Sequence, residues 1–191
     1  MAATRRTALA GVVAISLSLL TPCLAQQKGS ATIAKPAGVL KPAEMASLMP
    51  DQVFFRGQSA TVQLRNSGGV RYADGMFTLV ALVDTSGYSS GIQQRYQAYL
   101  ITEVPLELGD GNDARKLAPG AYGVGFIQND RFIVMDLGAH ELLNVESHHD
   151  AELHRPTPLQ VLDTPSSGTY RLYEGRSFVA LRREQIGRAH V

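Results

Sequence analysis

The chain contains no tryptophan and one cysteine, Cys23, among 191 residues. Cys23 sits in an N-terminal stretch with the marks of an export signal. Cleavage after Ala25 would leave a mature chain with no disulfide, no cysteine nucleophile and no thiolate metal ligand. An exported domain so built takes its stability from packing alone.

An excess of charge of one sign is also missing. The whole chain carries a formal +1. Setting aside Arg5, Arg6 and Arg188 at the two ends, the 18 basic side chains fall to 15 against 17 acidic ones, a balance of −2. Neither figure suggests nucleic acid or an anionic lipid surface as a partner. A bilayer-length apolar run is absent too: Ala8 to Leu20 is too short to span a membrane.

Met1 to Ala25 opens with Arg5 and Arg6, continues through that apolar run, breaks at Pro22 and ends on small residues. This predicts a secretory signal peptide and an exported protein, periplasmic or extracellular, with a bacterial envelope as the natural setting. Thr4-Arg5-Arg6 is a faint twin-arginine pattern. Leu20-Thr21-Pro22-Cys23 approaches a lipoprotein box but departs from it at Pro22, so plain export is the expectation. At the other end, Ile186 to Val191 is what ATC GGA AGA GCA CAC GTC encodes. That is the read-through of a common sequencing-library adapter, so these last residues are expected to be foreign to the natural protein.

Between the ends, the strongest local signal is Gly120 to Leu137, GAYGVGFIQNDRFIVMDL. Side chains alternate faces along a strand, which puts Tyr122, Val124 and Phe126 on one bulky apolar face. Gly123 and Gly125 leave the opposite face almost bare, a mark of close approach by a backbone or a ligand. Asn129-Asp130 tolerates the positive φ of a tight turn, and Phe132, Ile133 and Val134 return as a strand. Val70 to Asp84 turns at Asp74-Gly75, and Gly168 to Arg182 turns at Glu174-Gly175. The spacing of the three turns is irregular, so no repeat architecture follows.

The remaining segments read in order. Gln26 to Pro50 is a flexible leader with a short helix possible over Pro42 to Leu48. Val53 to Phe55 and Ala60 to Leu64 are strands about Gly57, and Asn66 to Gly69 is a turn. Met76 to Val83 is nearly all apolar, as in a strand covered on both faces. Ser86 to Gly91 is a loop, and Ile92 to Val104 becomes a strand by Tyr96. Gly138 to Pro158 is the least β-like stretch and holds four of the five histidines. The sum is a single all-β domain over 51–185, an antiparallel sandwich or open barrel of about ten short strands with little helix.

Three constellations could carry chemistry. Gly87-Tyr88-Ser89-Ser90-Gly91 matches the G-x-S-x-G nucleophile elbow, for which Asp136 with His140 or His154 would be the partners. An elbow needs a parallel strand and a following helix, whereas the surroundings read as hairpins, so a plain turn is the better reading. His148, Asp150, Glu152 and His154 would share one face if extended, with His149 beside them. Two imidazoles and two carboxylates suit zinc or non-haem iron, although metal ligands usually come from several elements. Asp110 to Asp113 lacks the spaced acids of a calcium loop and reads as a turn.

Tyrosines beside the bare glycine face give a further possibility, since the ring is apolar and the hydroxyl bonds. The expectation is therefore a non-enzymatic exported domain without a cofactor, binding a small apolar ligand or an envelope protein. Its cleft would be formed by Tyr96, Tyr122, Gly123, Gly125 and Tyr170. The competing expectation is a metal-dependent enzyme centred on His148, Asp150 and His154. A third is a structural envelope module, which a long exposed edge strand would favour and a closed barrel would oppose.

Overall fold

The alternating segments build two antiparallel sheets in the computed structural model, which describes residues 36–184. The expected signal peptide and the adapter-like end lie outside the described residues. In chain order the first half comprises β1 (Gly38–Leu40), the single-turn helix α1 (Pro42–Met45), β2 (Gln52–Phe55), β3 (Gln58–Arg71), β4 (Phe77–Val83), the single turn α2 (Ser90–Gln93) and β5 (Ala98–Thr102). The second half comprises β6 (Leu106–Leu108), β7 (Arg115–Leu117), β8 (Gly120–Ile127), β9 (Arg131–Met135), β10 (Glu141–Glu146), β11 (His148–His149), β12 (Gln160–Asp163), β13 (Thr169–Glu174) and β14 (Ser177–Arg183).

The larger sheet has eight strands in the order β1-β3-β4-β5-β8-β9-β10, with β2 also pairing to β3. The smaller has six, β12-β13-β14-β6-β7, with β11 also pairing to β14. The fold is an all-β sandwich, and the described strands do not close into a barrel.

Packing explains the arrangement. Val80, Leu100, Val124 and Val134 of the larger sheet meet Val161, Leu172, Val179 and Leu181 of the smaller in one intersheet core. The other face of the larger sheet is apolar as well. There Leu79, Ala81, Tyr99, Ile133 and Met135 are covered by Met45 and Met49, by Val53 and Phe55, and by Tyr88, Ile92 and Tyr96. The larger sheet is thus a middle layer, which is why Leu79, Val80 and Ala81 are buried consecutively. No described helix is long and apolar enough to cross a membrane.

The central hairpin forms as its sequence dictates. Ile127 pairs with Arg131 across a turn in which Asn129 and Asp130 take φ of 63° and 53°. The turns at Gly75 and Gly175 likewise take positive φ, 86° and 59°.

Four segments differ from the sequence reading. Asn66 to Gly69 is not a turn between strands but the inner part of β3. The β3–β4 register jumps between the pairs Val62–Val83 and Ser67–Ala81, so Gln63 to Asn66 bulge out. Glycine there allows close packing: a Cβ on Gly68 would lie 2.9 Å from the Val161 nitrogen, and one on Gly69 2.6 Å from the Thr78 carbonyl oxygen. The leader residues 38–49 belong to the fold, since β1 pairs with β3 and Met45 is fully buried. Between Gly138 and Pro158 two short strands form, β10 then β11, and carry the chain from one sheet to the other. Finally, Ser86 to Gly91 carries a buried Tyr88 and leads into α2, and β5 begins only at Ala98.

Candidate functional site

The bare face of β8 is occupied by the protein itself. A Cβ on Gly123 would stand 2.4 Å from Phe55 Cε2 and 3.0 Å from Tyr96 Cδ2. One on Gly125 would stand 2.3 Å from the Arg95 carbonyl oxygen and 2.8 Å from Gln97 Oε1. The Phe55 and Tyr96 rings stack at 3.9 Å, with Tyr88 edge-on to both. Beyond the last β5–β8 pair, the Gln97 side-chain amide extends the ladder. Its Oε1 accepts the Phe126 N–H at 2.7 Å, and its Nε2 donates to the Phe126 carbonyl at 2.9 Å. Glycine is required here because an aromatic ring and a peptide lie where a side chain would.

The five residues expected to line one cleft therefore do not share a surface. Tyr122 and Tyr170 face the intersheet core, while Tyr96, Gly123 and Gly125 belong to the opposite face of the larger sheet. Tyr122 donates its hydroxyl to the Ala118 carbonyl. The Tyr96 hydroxyl is the one buried side-chain polar atom among the described residues without a hydrogen-bond partner. Burial pushes its pKa upward. The cleft expected at this hairpin is closed by packing.

The histidine segment is held by different chemistry from that expected of a metal centre. His148 pairs through its backbone with Phe178, and its Nε2 lies 3.6 Å from Asp110. Asp150 accepts the Tyr173 hydroxyl at 2.9 Å and the Glu152 N–H at 3.1 Å. The Arg176 guanidinium donates to the carbonyls of Asp150, Ala151 and Leu153, clamping the turn. Here Asp150 serves to anchor the loop. Among the described residues no three histidine, cysteine, aspartate or glutamate side chains gather as a metal would need. His148, Asp150 and His154 are not brought together as a ligand set, because the chain turns at Asp150 instead of running on extended.

The serine motif is a turn that leads into α2. Ser89 precedes α2, the Tyr88 hydroxyl donates to the Phe55 and Gln58 carbonyls, and the neighbouring ladders are antiparallel. Asp136 and His140 do pair at 2.9 Å, within their own turn. Hydrogen bonds from His140 and Gly138 hold the Asp136 carboxyl below its ordinary pKa. At Asp110 to Asp113 the chain makes a 3₁₀ turn, and Asp113 caps the Glu146 N–H and faces Arg131 at 3.6 Å.

One hollow that sequence reasoning missed combines an apolar lining with a few polar groups. It lies at the seam where β1 and the β3 bulge meet β12, has a volume of about 320 Å³, and is lined by Val39, Leu40, Pro42, Leu159, Val161 and Leu162. Lys41 and Arg65 stand on its wall, with Thr157 and Gln160 as further polar groups. Two further hollows flank it. One of about 430 Å³ shares Val39 to Lys41. The other, of about 450 Å³, shares Gln160 and Leu162 and continues to His154 and Arg155. The seam was hidden because part of its wall comes from segments expected to be a leader and a turn. The apolar spacing of Leu40, Met45, Leu48 and Met49 was the available signal that the leader packs.

One carboxyl stands out in the same region. Glu174 shares the inward side of β13 with Tyr170 and Leu172, and burial raises its pKa to about 7. The turn that follows it is tied to the seam, since the Gly175 N–H donates to the Thr157 carbonyl at 3.1 Å. No protein-family model, characterised protein or solved structure matches the chain.

Proposed function

We propose that the chain is an exported binding domain, not an enzyme, and that it takes a small apolar ligand in the seam between its sheets. The observation that supports this reading is the apolar lining of the hollow between β1 and β12. Ligand pockets are concave and mostly apolar, with a few polar groups that orient what they hold. The seam has this character. Export rests on the N-terminal pattern of Arg5, Arg6 and the run Ala8 to Leu20.

A neutral solvatochromic dye tests the reading. The dye is expected to bind the purified protein with a blue shift, and Leu162→Asp is expected to abolish the shift. Leu162 is only half-buried, so this change leaves the intersheet core intact. Leu142→Asp, at an exposed apolar side chain on β10, is expected to leave binding unchanged. Dye binding that survives Leu162→Asp, or that is lost in Leu142→Asp alone, refutes the seam as the site.

A further inference from the structure

We infer that the seam ligand is an anionic single-chain amphiphile, its head held by Lys41 and Arg65 and its chain laid along Val39, Leu159 and Leu162. This rests on the seam being the ligand site. The carrying observation is a charge imbalance on an apolar hollow. Two cations line it, and none of its described lining residues is acidic. Among the described residues neither the Lys41 ammonium nor the Arg65 guanidinium has an ion-pair partner, although Arg71, Arg95, Arg131, Arg182 and Arg183 all do.

The nearest acid on the same element is Glu44, and its carboxylate is engaged elsewhere. It takes the Lys41 backbone N–H at 3.2 Å, faces Arg71 at 3.7 Å and lines the neighbouring hollow. Arg65 sits on the β3 bulge, the point where the strand leaves its ladder. Unpaired like charges beside one apolar hollow gain by receiving an anion, most of all where the surroundings are partly desolvated.

The geometry also selects an amphiphile over an added peptide strand. A β-augmenting peptide needs a clear backbone edge. At Val161 the backbone of β12 instead lies against Gly68, with 2.9 Å between its nitrogen and the position a Cβ would take. What the seam presents is side chains, with apolar ones in the hollow and cations on its wall. Thr157 and Gln160 already donate to the Leu159 and Arg155 carbonyls, which leaves Lys41 and Arg65 as the donors for the head.

Calorimetric titration with three probes of one chain length, decanoate, decanol and decyltrimethylammonium, tests the inference on the purified protein. Decanoate is expected to bind about tenfold or more tightly than decanol, the factor of one charge-assisted hydrogen bond, with the cation weakest. Lys41→Gln with Arg65→Gln is expected to erase the preference for decanoate over decanol. Both side chains are exposed, so the unfolding midpoint is expected to hold. Equal affinity for decanoate and decanol, or a preference that survives the double variant, overturns the cationic recognition while the apolar seam stands. Failure of all three probes to bind overturns the seam reading itself.

Discussion

Adding one methyl group to β8 separates a packed glycine face from an open one. In Gly123→Ala the new Cβ would meet Phe55 Cε2 at 2.4 Å, Phe55 Cζ at 2.8 Å and Tyr96 Cδ2 at 3.0 Å. Carbon atoms in contact prefer about 3.5–4.0 Å, so the Phe55 ring must retreat by roughly 1 Å. It has little room to do so, being fully buried and stacked on Tyr96 at 3.9 Å. Overpacking of this kind costs about 1–3 kcal/mol. Phe55→Leu removes the ring edge and the stacking, at about 1–2 kcal/mol, part of it the 0.5–1.5 kcal/mol specific to an aromatic pair. If the ring is what the glycine accommodates, the double variant regains stability, with a favourable coupling of about 1 kcal/mol or more. Urea unfolding followed by far-ultraviolet circular dichroism measures all four proteins, and an unchanged m-value confirms that the unfolding reaction is the same. Additivity within about 0.5 kcal/mol would refute the account, and a neutral Gly123→Ala would restore an open face on β8.

The other two predictions each concern one side chain. Met45→Ala is expected to lower stability by about 2–5 kcal/mol in chemical denaturation, because Met45 is fully buried under the larger sheet; a cost under 0.5 kcal/mol would return residues 38–49 to a mere leader. Glu174 has its folded pKa raised to about 7 by burial, above its unfolded value, so folding favours the protonated form. Its penalty is therefore absent below about pH 4, grows as pH rises toward 7 and is constant above, reaching at most about 3 kcal/mol before the discount for partial exposure. Glu174→Gln is expected to flatten that part of the pH–stability curve, and a wild-type curve with no fall between pH 4 and 7 would contradict it.

How much could be read from the chain depended on whether a residue acted through its neighbours in sequence or through distant ones. Asn129-Asp130, Gly75 and Gly175 announced their turns because positive φ is a local demand, and only certain residues meet it cheaply. The stretch of β4, apolar apart from Thr78, announced a middle layer because both its faces need cover. Gly68 and Gly123 obey no such rule. Each is glycine because a distant segment crosses it, Val161 in one case and Phe55 in the other. Pattern alone shows that something approaches such a glycine but not what approaches. That is why the same absence of a side chain was read once as a turn and once as a ligand cleft.

The histidine segment departs from its expected shared face for a related reason. Shared-face geometry holds only while the chain stays extended, and Arg176, some 25 residues away in sequence, folds the turn at Asp150 by capping three carbonyls. The seam was hidden in the same way. Its cations, Lys41 and Arg65, stand on two segments that carry weak local signals and acquire their positions only when β1 and β12 are brought to the same edge of the sandwich. An apolar hollow with unpaired charge arises where two sheets meet imperfectly, and no single stretch of sequence encodes that mismatch. In this fold the well-formed hairpins are scaffold, and the irregular β3 bulge carries Arg65 to the wall of the hollow. A deletion within Gln63 to Asn66 that restored regular pairing there would remove Arg65 from the seam even if it made the sheet more stable.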